Sequence, residues 1–413
     1  MAASANTEST LNGHFKDVYA EQIENLKPSG VELYNMVKFI KSSKRGGKFY
    51  NQPVALGYEF GFSYGGTGGA AYDLNSAVAA AHDEAQVKGS SIHLSSVLSV
   101  DAASRAASGK EAAFVQETKY IVENMFESFM VRLEIIFMYG QSGIGIVESV
   151  SSNVIKIEDH EWAAGLWAGS ENMPIEIRSA AGVKRGETNV SSVDMSAKQV
   201  TVDGLPAGTV ATDVIYHKGA YNQEAVGLHK ICSNTTGTLF GIDASQYSLF
   251  RGNTVNVGTN FSGGEAVLSF DKIEEGIARM MEKGLKKEEV CVLCNPLSWK
   301  NLLSDLAAKR EFDSSYKSSG LEQGTENITF FGPNGKIKIV STIFCKEGYA
   351  YMMVPGDFLK IGSSDVTFNQ PGLDDKMVRL LEKTAGYEFR AYADIALFTA
   401  KPGRTALLNF IES

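Results

Sequence analysis

Residues 109–140 read "GKEAAFVQETKYIVENMFESFMVRLEIIFMYG". Apolar side chains recur there at helical spacing, at Phe114, Ile121, Met125, Phe129, Leu133 and Ile136, with only Thr118 interrupting the row. Val122, Phe126, Met130 and Phe137 form a second row beside it. This spacing predicts one continuous amphipathic helix over 109–139, on the order of 45 Å long at 1.5 Å per residue. A helix well above the usual length is a backbone element, and the rest of the chain has to be arranged along it.

The opposite periodicity occurs upstream. From Val54 the residues alternate, with Val54, Leu56, Tyr58, Phe60, Phe62 and Tyr64 on one side and Ala55, Gly57, Glu59, Gly61 and Ser63 on the other. That pattern predicts a long strand with an apolar, largely aromatic face. A glycine cluster at 65–69 breaks it, "NSAVAAAHDEA" reads as a small-residue excursion, and "QVKGSSIHLSSVLS" reads as a returning extended segment. Residues 53–99 thus form a two-armed loop. A two-stranded ribbon is marginal alone in water, and fully burying each aromatic stabilises by roughly 1.5–3 kcal/mol. The ribbon therefore needs a surface, either its own chain, as alternating strands ordinarily have, or a neighbouring copy.

Two active-site patterns fall in the same stretch. "GFSYG" at 61–65 fits the G-x-S-x-G nucleophile elbow, and "GTGGAA" at 66–71 fits the G-x-G-x-x-A dinucleotide motif. An elbow requires a sharp turn at the serine and a helix starting at once, whereas Ser63 lies inside the alternation. The dinucleotide motif belongs between a buried parallel strand and a helix, and the strand here has one polar face. The six histidines, among them His160 and His229, are scattered. No other catalytic or metal-binding signature is present, so the chain has no nominee for catalysis, cofactor or metal.

Composition narrows the classes further. The 413 residues allow two or three domains, and a formal net charge of -9 disfavours a sequence-independent grip on phosphates. The start "MAASANTESTLNGHFK" has no signal-peptide pattern and no apolar run approaches a bilayer span, so cytoplasmic synthesis is the expectation. Four cysteines, Cys232, Cys291, Cys294 and Cys345, are too few for a disulfide scaffold. Cys291 and Cys294 form a C-x-x-C in strand-like sequence, where positions three apart face opposite ways, so a buried strand is expected there and not a metal or redox site.

Elsewhere the signals are local. Residues 1–50 read as an arm with short helices, the first carrying Phe15, Tyr19, Ile23 and Leu26, the second running along "GVELYNMVKFIKSS". Its basic cluster, Lys38, Lys41, Lys44, Arg45 and Lys48, reads as a solvated face, with nucleic acid or an acidic neighbour as the alternative. After strand-like "GIVESV" and "NVIKIE", residues 174–218 carry the short strands and turns of a small β module. Then come an amphipathic helix in "SFDKIEEGIARMMEKGLKKEE", the buried strand "VCVLCNP", a helix opening after Pro296, a hairpin in "ITFFGPNGKIKIVST", and two closing strands. The ensemble is α+β.

This order of parts resembles the major capsid proteins of tailed bacteriophages, the Hong Kong 97-type fold shared with herpesvirus capsid floors and encapsulins. The similarity covers most of the chain and is podovirus-like in texture. It is carried by "FYNQPVALGYEFGFSYGG", "VKGSSIHLSSVLSVDAASRA", "AVGLHKICSNTTGTLFGIDASQYSLFRGNTVNV" and "YEFRAYADIALFTAKPGRTALL". The resemblance implies an N-terminal arm at 1–50, an extended loop (E-loop) at 51–107, a peripheral domain (P-domain) with spine helix and strands at 108–161, and a β-rich elaboration of it at 162–225. An axial domain (A-domain) follows at 226–384, with a return to the peripheral domain at 385–413.

It further implies a non-enzymatic shell protein that forms hexamers and pentamers around viral DNA, with scaffolding, portal and decoration proteins as partners. The expected subunit interface is Leu56, Tyr58, Phe60, Phe62, Tyr64, Ile92 and Leu94. The expected spine-helix core is Phe114, Ile121, Met125, Phe129, Leu133 and Ile136. Covalent crosslinking, known in some relatives, is not carried over: the one lysine between Pro53 and Ser99 is Lys88, and nothing marks it as activated. The rival readings are an encapsulin-like cargo compartment, a hydrolase using Ser63, and a binding or tail protein whose hairpin folds onto its own chain.

Overall fold

A computed structural model describes residues 30–41, 50–69, 71–99, 111–256, 267–304, 327–332, 335–368, 378–381 and 386–410. The helix expected at Phe15–Leu26 and the basic residues Lys44, Arg45 and Lys48 lie outside them.

The long helix is one element, Glu111–Tyr139. Met125, Phe129, Leu133 and Ile136 are buried, Ile121 is half-buried, and the side chain of Phe114 lies outside the described residues. Of the flanking row, Phe137 is buried and Phe126 is exposed. From Leu133 to Tyr139 every side chain is buried, because neighbours enclose this end on all sides. One of them is the short helix Glu32–Met36, whose Leu33 and Tyr34 backbone N–H groups both donate to the buried Glu134 carboxylate at 2.8 Å. Tyr34 also stacks on Phe137 at 5.6 Å. Burial pushes the Glu134 carboxyl up to about 7, and the backbone hydrogen bonds only partly offset this. The second helix expected in the arm is therefore only five residues long. Its continuation, Lys38–Lys41, is a strand that pairs in parallel with Phe358–Thr367.

The strand Gly386–Thr399 organises a five-stranded sheet beside the helix. It pairs antiparallel with Ser90–Ser99, with Phe358–Thr367 and, near its start, with Val378–Leu380. Phe389, Ala391, Ala393 and Ile395 are buried at every second position and join the same core as Phe129 and Leu133.

The chain then closes a six-stranded barrel in the order Val214–His217, Gly145–Ser151, Val154–Ile157, Gln199–Val202, Lys184–Asp194, Pro174–Arg178. Val147, Ile155, Ile157, Ile175, Ile177, Val190, Val200, Val202 and Ile215 are all buried, so side chains fill the barrel interior. The hairpin Gly145–Ile157, placed by sequence with the spine helix in 108–161, is an integral part of the barrel, because Val214 and Ile215 close it onto Ile146 and Gly145.

A second, mixed sheet has the order Asn253–Asn256, Ala406–Asn409, Tyr349–Met353, Val290–Cys294, Gly335–Ser341, Asn327–Gly332. The helix Phe270–Glu282, its first turn capped by the Ser269 hydroxyl, packs on one face. Alternation along Val290–Cys294 sends Cys291 and Leu293 into the core around the spine helix, and Val290, Val292 and Cys294 into the core under that second helix. The two cysteines therefore face apart, both buried and free. Sheet membership also divides two expected segments: Phe358–Thr367, placed by sequence in 226–384, joins the five-stranded sheet, while Ala406–Asn409, placed in 385–413, joins the mixed one.

A buried polar knot ties barrel, spine helix and mixed sheet together. Lys346 Nζ meets Glu161 Oε2 at 2.5 Å, the Tyr349 hydroxyl donates to Glu161 Oε1 at 2.8 Å, and the Tyr139 hydroxyl donates to the Phe344 carbonyl at 2.9 Å. His229 Nδ1 shares a hydrogen bond with the Tyr351 hydroxyl at 2.8 Å. Burial alone would raise the Glu161 carboxyl, but the Lys346 ammonium and the hydrogen bonds hold it at about 2. Burial, helped by the Lys346 charge, pushes His229 down to about 4. Every member is matched, which is the condition for a buried ionic group to be tolerated.

Candidate subunit interface

The two-armed loop stands on a firm base. Tyr50–Ala55 and His82–Val87 pair antiparallel from Tyr50 opposite Val87 to Ala55 opposite His82. Tyr50, Leu56, Ala85 and Val87 are buried, the Tyr50 ring meets Phe398 edge-on at 5.6 Å, and the Gln86 N–H donates to the Phe240 carbonyl at 2.8 Å. The base is thus anchored in the main core.

Beyond Leu56 the two arms are hydrogen-bonded to each other. Leu56 N–H donates to the Ala81 carbonyl at 2.8 Å and Phe60 N–H to the Val78 carbonyl at 3.2 Å. Farther out, Asn75 donates its backbone N–H to Ser63 Oγ and its side-chain amide to the Phe62 carbonyl, both at 2.6 Å. The small residues have a steric reason. A Cβ on Gly61 would lie 3.1 Å from Ala77 Cα, and one on Gly65 would lie 2.4 Å from the Tyr72 ring, so the arms approach closely only because these positions are glycine. The stretch "NSAVAAAHDEA", read from sequence as an excursion, is the return arm itself, and its Ala77 and Ala81 lie opposite Gly61 and Gly57.

The aromatic face of this ribbon is bare. Tyr58 is 77% exposed, Phe60 63%, Phe62 64% and Tyr64 84%. The expected long strand ends at Ala55, and the four large side chains exposed at alternate positions of the arm beyond it form a patch of the kind that marks a contact surface. The other expected interface residues are placed differently. Leu56 is buried in the chain's own core, and Ile92 and Leu94 lie half-buried in the strand Ser90–Ser99, against the same core. The projecting ribbon is therefore shorter than the expected 53–99: its return arm ends at Val87, and the next strand enters the five-stranded sheet. Alternation continues smoothly through all of these residues, so their different surroundings have no local sequence signal.

Ser63 sits as a rung between the arms. The chain neither turns there nor starts a helix, and the hydroxyl accepts from Asn75. The nucleophile elbow is absent. The GTGGAA segment likewise follows an exposed arm and not a buried parallel strand.

No protein-family model matches the sequence, and no curated protein does. Solved structures do. A chain of the cyanophage A-1(L) capsid asymmetric unit superposes with a TM-score of 0.61 at 12% identity, covering 99% of this chain and 100% of that one. The fold is that of a phage capsid chain. A chain from the capsid of a native GTA particle gives 0.55 at 9% identity, with 99% and 100% covered. One from the capsid of cyanophage P-SCSP1u gives 0.52 at 10%, with 100% and 97% covered. The α+β capsid fold inferred from the order of parts is therefore matched over 99% of this chain.

Proposed function

We propose that this chain is the structural subunit of an icosahedral shell, a major capsid protein that assembles into hexamers and pentamers and encloses packaged double-stranded DNA. The observation that carries the reading is the bare aromatic ribbon, held out from an anchored base in a chain whose described residues have a capsid fold. Such a ribbon buries its aromatic face only when another subunit lies against it. In this reading the ribbon is the E-loop, the long helix with its five-stranded sheet and barrel forms the P-domain, and the mixed sheet forms the A-domain around the hexamer and pentamer axes. The 1–50 arm reaches neighbouring subunits. Many modest contacts, repeated by symmetry, give cooperative closure while each remains reversible during assembly. The net charge of -9 suits a container that must not grip its contents. Scaffolding, portal and decoration proteins are the expected partners, with assembly in the host cytoplasm and residence in the virion. The chain's role is structural and not catalytic.

Negative-stain microscopy of the expressed protein, alone and with its genomic neighbours, tests this. Closed shells tens of nanometres across are expected, and nuclease-protected DNA inside virion-derived shells distinguishes a genome container from a cargo compartment. Persistent monomers under all conditions would overturn the reading.

A further inference from the structure

We propose that the cavity between the spine helix, the strand Ser90–Ser99 and the barrel is a binding site for a small uncharged amphiphile, an apolar body ending in one hydroxyl group. The site belongs to the single subunit, whether or not subunits assemble. The cavity measures about 540 Å³, within the range that takes a drug-sized organic molecule.

Its walls differ in chemistry. The strand and the helix present Ile92, Leu94, Phe129 and Ile135, whereas the barrel side carries two polar atoms, Ser170 Oγ and His217 Nε2. Both are buried, their residues at 7% and 8% exposure, and neither has a hydrogen-bond partner among the described residues. Backbone hydrogen bonds hold the two residues on one ridge: Met173 N–H donates to the Ser170 carbonyl at 2.9 Å, and Lys218 N–H to the Pro174 carbonyl at 3.1 Å. The ridge is anchored from behind, where Gly165 N–H donates to the Ile343 carbonyl at 2.9 Å and a Cβ at Gly165 would lie 2.8 Å from the Phe344 ring. The site is thus preformed.

This division specifies the occupant. Buried polar atoms are paired in the great majority of cases, because an unpaired one has lost its hydration and gained nothing in exchange. A pure hydrocarbon would cover the apolar walls and leave both polar atoms unpaired; water would pair them and leave the apolar walls wet. A hydroxyl both donates and accepts, so it pairs with the serine and with either tautomer of the histidine. An ionised ligand is disfavoured, since the cations at the rim already hold carboxylates, Arg132 with Glu224 at 3.0 Å and Lys218 with Glu187 at 2.7 Å. What fits is an alcohol or phenol with its body on helix and strand and its hydroxyl on the barrel ridge. Such an occupant touches three elements at once, so its binding links the barrel to the spine helix and raises the subunit's unfolding temperature.

The test uses the full-length protein and two probes with the same body, 4-propylphenol and propylbenzene, with dissociation constants taken from saturation-transfer NMR titrations. The phenol should bind at least tenfold more tightly than the hydrocarbon and raise the unfolding temperature. Ser170→Ala should weaken the phenol by about fivefold and leave the hydrocarbon unchanged, a split that a merely structural effect would not produce. Ser128→Trp obstructs the cavity from an exposed position on the helix. It should abolish binding of both probes while the unliganded protein keeps its unfolding temperature. Equal affinity for the two probes would overturn the proposal, and so would a phenol that fails to bind at its solubility limit, which leaves water as the occupant. Phenol binding that survives Ser128→Trp puts the probe elsewhere and contradicts the site.

Discussion

The spine helix and the ribbon are the two most regular patterns in this chain, and they dispose of their apolar faces in opposite ways. The helix lays Met125, Phe129, Leu133 and Ile136 into its own core. The ribbon, with an equally clean row, leaves Tyr58, Phe60, Phe62 and Tyr64 in solvent. Periodicity states that a face must be covered, but it does not state by which molecule. The difference comes from what lies alongside. The helix is flanked by the sheet, the short Glu32–Met36 helix and the barrel, whereas among the described residues the ribbon beyond Leu56 is hydrogen-bonded to its own return arm and leaves its aromatics exposed.

The double change Phe60→Asp with Phe62→Asp should break the comparison most sharply. Shell formation should be abolished while the monomer's unfolding curve stays within about 0.5 kcal/mol of the parent, as for other exposed positions. Unfolded monomers would instead assign the ribbon to the chain's own core. The mirror experiment is Phe129→Ala or Leu133→Ala on the helix. Each should lower monomer stability by roughly 2–5 kcal/mol in urea unfolding, because each leaves a cavity in a filled core.

Next in size is a pH effect confined to the helix. The Glu134 carboxyl is raised from its ordinary 4.5 to about 7 in the folded state, so between those values the folded chain binds more protons than the unfolded one. Stability should therefore fall as pH rises from about 5 to 8, by on the order of 3 kcal/mol from this group, and Glu134→Gln should remove that slope. The groups facing it are Glu32 and the backbone N–H groups of the docked helix, with the Lys360 charge also in range. Parallel slopes for parent and variant in denaturation at a series of pH values would count against the assignment. The smallest effects should come from the ribbon's lean face. Gly61→Val, by prising the arms apart, should reduce shell yield with little change in monomer stability. Ser63→Ala, which removes one exposed rung, should cost at most about 1 kcal/mol locally.

Much of this fold was legible because it is written in short-range repeats. The 3.6-residue row from Ile121 to Ile136, the hairpin Asn327–Ser341 and the uniformly apolar Val290–Cys294 each declare their element within a short stretch, whereas the alternation from Val54 to Tyr64 is strand only as far as Ala55. The arm was misread for the same reason: Leu33, Tyr34 and Val37 have helical spacing, but after Met36 the free edge of Phe358–Thr367 offers a parallel partner and the chain becomes a strand. That the hairpin Gly145–Ile157 closes into the barrel is not legible locally, because Gly145 and Ile215, seventy residues apart, carry no sign that they pair.

The candidate site divides along the same line. The alternating row Tyr58, Phe60, Phe62 and Tyr64 is legible in the sequence as a face that needs cover, but its exposure, beside a buried Leu56 two positions earlier, is not. The sequence by itself determined most of the long helices and buried strands and which faces need cover, because backbone geometry and hydrophobic period are properties of neighbours along the chain. Tertiary structure alone decided that Leu56 is inside and Phe60 outside, that Cys291 and Cys294 look into different cores, and that Glu161, His229 and Lys346 share one buried knot. Those outcomes depend on what arrives across long separations to exclude water from each side chain, and no spacing along the chain records it.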